Sequence, residues 1–235
     1  PETTNIPKGM VKLFDKSLLE MQIDILKKCN INDISIVSGY LSNQITFPSI
    51  SYFKNKNYLS TSGIVSLFCA KEKLQDNTII TYSDLIFEKS IIDNVINFKG
   101  DIGIAVDLDW EKNYVDRDKH PKSEAENVLL DKDGNIRKLR KNISTCEENE
   151  KIGECLGLMK LSKKASKVFL DKYSELKISH QGKFHNAPSL EKAIISDMLQ
   201  ELIDSEVKVE PILISGKWCE IDTPQDLEKA RKLFI

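Results

Sequence analysis

Apolar runs of strand length alternate along this chain with apolar stripes at helical spacing, and that alternation constrains the fold more than any other feature. Ser17-Leu18-Leu19-Glu20 opens with a capping-box pattern, after which Leu19, Ile23 and Leu26 share one helical face up to about Asn30. Ile34-Ser35-Ile36-Val37 then reads as a strand stopping at Ser38-Gly39-Tyr40. A short strand near Ser51-Tyr52-Phe53 and a helix from Ile64 to Leu74 follow. Next come a strand from Thr78 to Tyr82, a helix from Ser90 to Phe98 and a strand from Ile102 to Val106. Strands interleaved with helices predict an α/β fold, a Rossmann-like, mostly parallel mixed sheet covered by helices on both faces.

The middle of the chain changes character. Val128 to Leu139 reads as a hairpin turning at Asp133-Gly134, and Gly157-Leu158-Met159-Lys160-Leu161 returns to strand. Lys163 to Tyr173 and Leu190 to Ser205 read as helices, and Val207 to Ser215 as a strand. The expected organisation is a single domain over residues 1–235. Residues 107–160 form an antiparallel insertion over the carboxyl ends of the strands, where open sheets bind ligands.

With 235 residues, 40% of them hydrophobic, the chain can bury one sizeable core. Its 34 basic and 36 acidic residues nearly cancel, which gives no broad footprint for nucleic acid. No apolar stretch is long enough to cross a bilayer, and Pro1 to Lys8 lacks the apolar core of a signal peptide, so a cytoplasmic location is expected. Five cysteines without a Cys-x-x-Cys pair imply neither a disulfide framework nor a zinc knuckle.

Trp218-Cys219-Glu220-Ile221-Asp222-Thr223-Pro224-Gln225-Asp226 runs from a strand end into a helix start. Thr223 is a good N-cap, Pro224 suits the first helical position, and Asp226 follows the cap by three residues, so Asp222 is held rigidly. Asp84 closes the apolar run Thr78-Ile79-Ile80-Thr81-Tyr82-Ser83. Two hard carboxylates at strand ends can hold one Mg²⁺, an ion that favours a few carboxylates plus substrate phosphates. Solvated loop acids would occupy the same positions.

Several of these segments, in this order, resemble the nucleotidyltransferase family of nucleotide-sugar pyrophosphorylases and bacterial phosphocholine cytidylyltransferases, whose fold is GT-A-like. Pro7-Lys8-Gly9-Met10-Val11 is similar to the family's Pro-Lys signature, and Ser17 to Ile23 to its usual first helix. Asn32 to Tyr40 resembles its second strand and loop, while Asp84 and Glu220-Ile221-Asp222-Thr223-Pro224 fall where the family places two metal-binding aspartates. Asn57-Tyr58, Ser62 to Leu67, Thr81-Tyr82-Ser83-Asp84 and Asp109-Trp110-Glu111-Lys112-Asn113-Tyr114 look closest to the phosphocholine and 2-aminoethylphosphonate cytidylyltransferases.

The resemblance implies attack by an acceptor phosphate or phosphonate oxygen on the α-phosphorus of a nucleoside triphosphate, with release of pyrophosphate. Asp84 and Asp222 would hold Mg²⁺, with Asp84 also near the nucleotide, Lys8 would meet the triphosphate or pyrophosphate, and Lys141 the acceptor phosphate. Gly39, Tyr40, Ser62 and Gly63 would lie near the nucleotide, although Gly39 also suits a plain turn and Ser62 a plain N-cap. Trp110, Tyr114 and Trp218 are candidate acceptor walls. Asp109, Glu124, Glu126 and Glu154 are candidate amine partners, and Arg117 a candidate grip on a phosphonate. His120, His180 and His185 show no metal-ligand spacing and receive no role.

The expected partners are CTP and a small phosphorylated or phosphonate acceptor, with no nucleic acid and no membrane, and a homodimer is a possible assembly. A pyrophosphorylase acting on a sugar 1-phosphate and a non-catalytic nucleotide-binding module are the alternatives. The family's Gly-rich phosphate loop precedes its Pro-Lys element, and it is expected upstream of Pro1 in the full-length protein.

Overall fold

The computed structural model describes residues 3–235; Pro1 and Glu2, the first residues of the stretch read above against a signal peptide, lie outside them. Strands β1 (Lys12–Leu13) and β2 (Lys16–Ser17) lead into helix α1 (Leu18–Lys28), followed by β3 (Ser35–Ser38), β4 (Ser51–Lys54) and α2 (Gly63–Cys69). Next come β5 (Thr78–Thr81), β6 (Leu85–Phe87), α3 (Lys89–Asn97) and β7 (Ile102–Asp107). Strands β8 (Glu126–Leu130), β9 (Ile136–Lys141) and β10 (Lys151–Leu161) precede helices α4 (Lys163–Ser179) and α5 (Ile195–Asp204). β11 (Glu210–Leu213), β12 (Trp218–Glu220) and α6 (Pro224–Leu233) complete the order.

Local chemistry places the helix ends. The Ser17 hydroxyl accepts the Glu20 N–H at 3.2 Å, and α1 then buries Leu18, Leu19, Gln22, Ile23 and Leu26, a stripe three to four residues apart. At α6 the Thr223 hydroxyl accepts the Asp226 N–H, while the Asp226 carboxylate accepts the Thr223 N–H at 2.8 Å, a reciprocal capping box with Pro224 inside the first turn.

The α/β class expected from the sequence is the one observed. The largest sheet among the described residues runs β11-β7-β10-β8-β9, and β5 also pairs with β10. Strands β5, β7 and β11 point the same way, and β10 runs antiparallel to β5, β7 and β8. Along β7, Ile104 and Val106 face a core formed with α2, α4 and α5, whereas Ala105 faces a second core formed with α1 and α3. That alternation with period two is what puts helices on both faces. A third cluster packs α6 against the β1–β2 hairpin through Leu13, Ile86, Ile221 and Leu227.

On one side of β10, β8 pairs with its first residues (Lys151 to Glu154) and β5 with its last (Leu158 to Leu161), leaving a fork at Cys155 to Gly157. The ladder to β7 shifts register between Cys155 and Met159, and Gly157 there has φ +67°, with the Tyr82 ring only 2.4 Å from where a Cβ would sit. A β-bulge with glycine in the left-handed region thus opens the sheet where a crevice is needed.

Several elements differ from the sequence reading. The helix expected from Ile64 to Leu74 ends at Cys69, and a 3-10 turn, Lys71–Lys73, follows. The helix expected over Leu190 to Ser205 breaks into a 3-10 turn, Leu190–Lys192, and α5. Its carbonyls at Glu191 and Ala193 accept the N–H groups of Ser62 (2.9 Å) and Ile64 (3.2 Å), orphan donors at the start of α2. The sequence reading assigns no element to residues 85–87, where the short strand β6 forms; its three consecutive buried residues carry no alternation. Among the described residues no helix is long and apolar enough to cross a membrane.

Candidate active site

β6 and β12 pair antiparallel, with Leu85 opposite Glu220 and the Ile221 N–H donating to the Asp84 carbonyl at 2.9 Å. Asp84 immediately precedes β6 and Asp222 follows β12, so this pairing brings together two residues far apart in sequence. The Asp84 turn is clamped from below by the buried Gln22, whose side-chain amide donates to the carbonyls of Tyr82 (2.8 Å) and Leu85. Asp222 is fixed through its backbone N–H, accepted by Asp226 Oδ2 at 3.0 Å.

Asp84, Glu220 and Asp222 each present a carboxylate oxygen within 4.8 Å of the others. Lys8, at the start of the 3-10 turn Lys8–Met10, places Nζ 2.6 Å from Asp84 Oδ2 and against Asp222 Oδ1. Burial disfavours the Lys8 charge, yet the two aspartates outweigh it and hold its pKa above the ordinary lysine value. Burial, followed by Asp222 and Asp84, pushes the Glu220 carboxyl up to about 8. Asp84 Oδ1 is buried and has no hydrogen-bond partner. Three hard oxygen donors, one of them unsatisfied, fit a hard divalent cation of the Mg²⁺ kind. Glu220 received no role from the sequence, although its place two residues before Asp222 puts both on one side of an extended segment.

The cluster opens into a cavity of about 590 Å³ at the sheet fork. Its walls include Tyr82, Gly157, Ile195, Ser196, Lys119, His120, Glu124 and Lys141, with Glu154 and Trp218 also lining it. Lys141 pairs with Glu124 at 2.9 Å. The Trp218 indole N–H donates to Asp107 Oδ2 at 2.8 Å. Glu154 is buried; its Oε1 accepts the Tyr114 O–H at 2.5 Å, its Oε2 has no partner, and burial pushes its carboxyl up to about 7.

Three residues expected to meet an acceptor lie off the lining of this cavity. Arg117 is buried, its Nε donating to Asp226 Oδ1 at 2.5 Å and Nη2 to the Glu220 carbonyl at 3.4 Å, so its guanidinium is committed to holding the chain together. Trp110 packs with Tyr114 and Ala125 in a separate small core and donates to the Ile152 carbonyl at 3.3 Å. Asp109 is exposed and pairs with Lys112 at 2.7 Å. None of the three borders the cavity.

Of the residues expected near the nucleotide, Asp84 lines this cavity, whereas Gly39, Tyr40, Ser62 and Gly63 lie off its lining. Gly39 packs so closely on Tyr58 that a Cβ would sit 2.5 Å from it, and the exposed Tyr40 donates its O–H to the Thr4 carbonyl at 2.6 Å. Ser62 makes no side-chain capping bond, and Gly63 packs on the Tyr82 ring, which does line the cavity. A residue given no role from sequence, His120, joins the site: its Nδ1 lies 3.0 Å from Asp222 Oδ2.

The arrangement suits chemistry at phosphorus rather than nucleophilic catalysis by the protein. Burial pushes the Cys219 thiol up to about 12 and the Cys155 thiol higher, which leaves neither thiolate available. What the site offers is a cluster of carboxylates for a cation and flanking lysines for anionic oxygens.

No family model matches the chain. The CTP:phosphoglutamine cytidylyltransferase of Campylobacter jejuni is 28% identical to it over 239 residues, spanning 97% of this chain and 92% of that protein. The choline-phosphate cytidylyltransferase of Streptococcus pneumoniae is 35% identical over 92 residues, spanning 37% of this chain and 40% of that one. The solved structure of the CTP:phosphocholine cytidylyltransferase from Streptococcus pneumoniae superposes with a TM-score of 0.73 at 21% identity, covering 100% of this chain and 92% of that one, and shows the same fold. Along nearly its whole length the chain is similar to one bacterial cytidylyltransferase, and it shares its fold with another, which places its likeness among the nucleotidyltransferases, close to the bacterial cytidylyltransferases.

Proposed function

We propose that the protein transfers CMP from CTP to a small phosphorylated or phosphonate acceptor, of the phosphocholine or 2-aminoethylphosphonate type, with release of pyrophosphate. The observation that carries this reading is the cluster of Asp84, Glu220 and Asp222 at the edge of the cavity, with a buried, unpartnered oxygen on Asp84. The names of the relatives support a cytidine nucleotide as the donor and a phosphorylated acceptor.

In this reading Asp84, Glu220 and Asp222 hold Mg²⁺, which when bound neutralises charge on phosphate oxygens. Lys8 keeps an ammonium at the cluster, within reach of triphosphate or pyrophosphate oxygens. Lys141 lines the same cavity and meets the acceptor phosphate, exchanging its pairing with Glu124 for that anion. The acceptor oxygen is already anionic, so no general base is needed; the protein's part is to line up two phosphorylated molecules and exclude water. Glu126, accepting the Ser196 O–H at 2.6 Å, and Glu154 offer acceptor-binding groups in the same cavity.

A matrix of nucleoside triphosphates against phosphocholine, 2-aminoethylphosphonate, phosphoglutamine and sugar 1-phosphates, scored by pyrophosphate release, tests the reading. CTP with an amino- or ammonium-bearing acceptor should dominate, and Asp84→Asn should silence it. Preference for a sugar 1-phosphate would place the protein with the pyrophosphorylases instead.

A further inference from the structure

The two oxygens of the Asp222 carboxylate are met from different sides. Lys8 Nζ lies against Oδ1, and His120 Nδ1 lies 3.0 Å from Oδ2. The imidazole borders the cavity, and only 15% of the side chain is exposed. The segment that carries it is stapled to the start of α6. Arg117 bonds the Asp226 carboxylate, the Lys119 N–H donates to Gln225 Oε1 at 3.1 Å, and Gln225 Nε2 donates to the Asp116 carbonyl at 2.7 Å. The same helix start fixes the Asp222 backbone through Asp226. Imidazole and carboxylate are thus delivered by two segments locked onto a single helical turn.

His120, Asp222 and Asp226 also form a second grouping with the spacing of a cation site. Asp226 is not free to serve it. Its Oδ1 accepts from Arg117, and its Oδ2 accepts the N–H groups of Asp222 and Thr223 and the Thr223 O–H. Asp84 Oδ1, by contrast, has no partner, so a cation belongs with Asp84, Glu220 and Asp222.

We infer that His120 is a positioning residue of the cation centre: it braces the Asp222 carboxylate from the outer side, so that Asp222 meets a divalent cation in a single orientation. This rests on the proposal that the three carboxylates hold such a cation. Removing an outer partner of this kind lowers metal affinity by about 10–100-fold.

Mn²⁺ alone, titrated into the full chain and followed by electron paramagnetic resonance, tests it. His120→Ala should weaken Mn²⁺ binding by roughly 10–100-fold while melting with the parent. His120→Asn, whose amide N–H takes the place of the Nδ1 group, should recover most of the affinity. Parental affinity in His120→Ala, or an Asn variant no better than Ala, overturns the inference. So does an imidazole ¹⁴N coupling in the electron spin echo of the loaded parent, since it makes His120 a ligand. If Asp84→Asn binds Mn²⁺ as the parent does, the cation site itself is elsewhere and the inference falls with it.

Discussion

The buried Glu154 shows how much one side chain's surroundings decide. Burial raises its carboxyl from the ordinary glutamate range to about 7, so the folded protein holds a proton that the unfolded chain releases nearer pH 4. The folded state therefore binds more protons, and its stability is full below the unfolded value and falls as pH rises through about 7. Glu154→Gln cannot ionise. Thermal melts between about pH 5 and about pH 8 should show the parent losing on the order of 3 kcal/mol relative to this variant, and parallel pH profiles would contradict the assignment. Asp226 poses the opposite case: burial works against its charge, but Arg117 and Thr223 hold its carboxyl below the usual aspartate range. Asp226→Asn leaves the Arg117 guanidinium buried without a counter-charge and should cost about 3–5 kcal/mol, read as a melting point lower by on the order of 10 °C.

At the scale of elements, helix ends were legible and sheet pairings were not. The caps at Ser17 and Thr223 act over three residues, so the starts of α1 and α6 could be read directly. The break before α5 could not, because the groups that use its carbonyls belong to Ser62 and Ile64, over a hundred residues earlier in the chain. Nor could the pairing of β6 with β12, which alone makes neighbours of Asp84 and Asp222. The bulge in β10 gives a test at this scale. Gly157→Ala forces a side chain into the left-handed region at φ +67° and against Tyr82, 2.4 Å away. A loss of about 1–3 kcal/mol in denaturant unfolding is expected, with weaker nucleotide binding as the Tyr82 ring is displaced into the cavity; an unchanged midpoint would show that the strand relaxes freely.

For the molecule as a whole, the cavity lies where two cores meet. Tyr82, Ile104 and Met159 belong to the core with α2, α4 and α5, and Leu156 and Trp218 to the core with α1 and α3. A ligand bound there ties both halves of the fold together. CTP with Mg²⁺ at about 100 times its dissociation constant should stabilise the protein by about 2.7 kcal/mol, a rise in melting temperature of roughly 5–10 °C. Chelation by EDTA should remove most of that rise, and a rise untouched by EDTA would argue against nucleotide binding through a cation.

By itself the sequence determined the α/β class, the two faces of helices, the capped helix after Asp222 and the candidacy of Asp84 and Asp222, because those signals are periodicity and capping; the family resemblance implied Lys8 and Lys141. The tertiary structure alone decided which charged groups share the cavity. It brought in Glu220 and His120, committed Arg117 to Asp226, and set Trp110 in a core of its own. The reason is range: a cap or a stripe acts over a few residues, whereas the contacts that assemble the site join segments a hundred residues apart, through a strand pairing and a buried ion pair that no local pattern encodes.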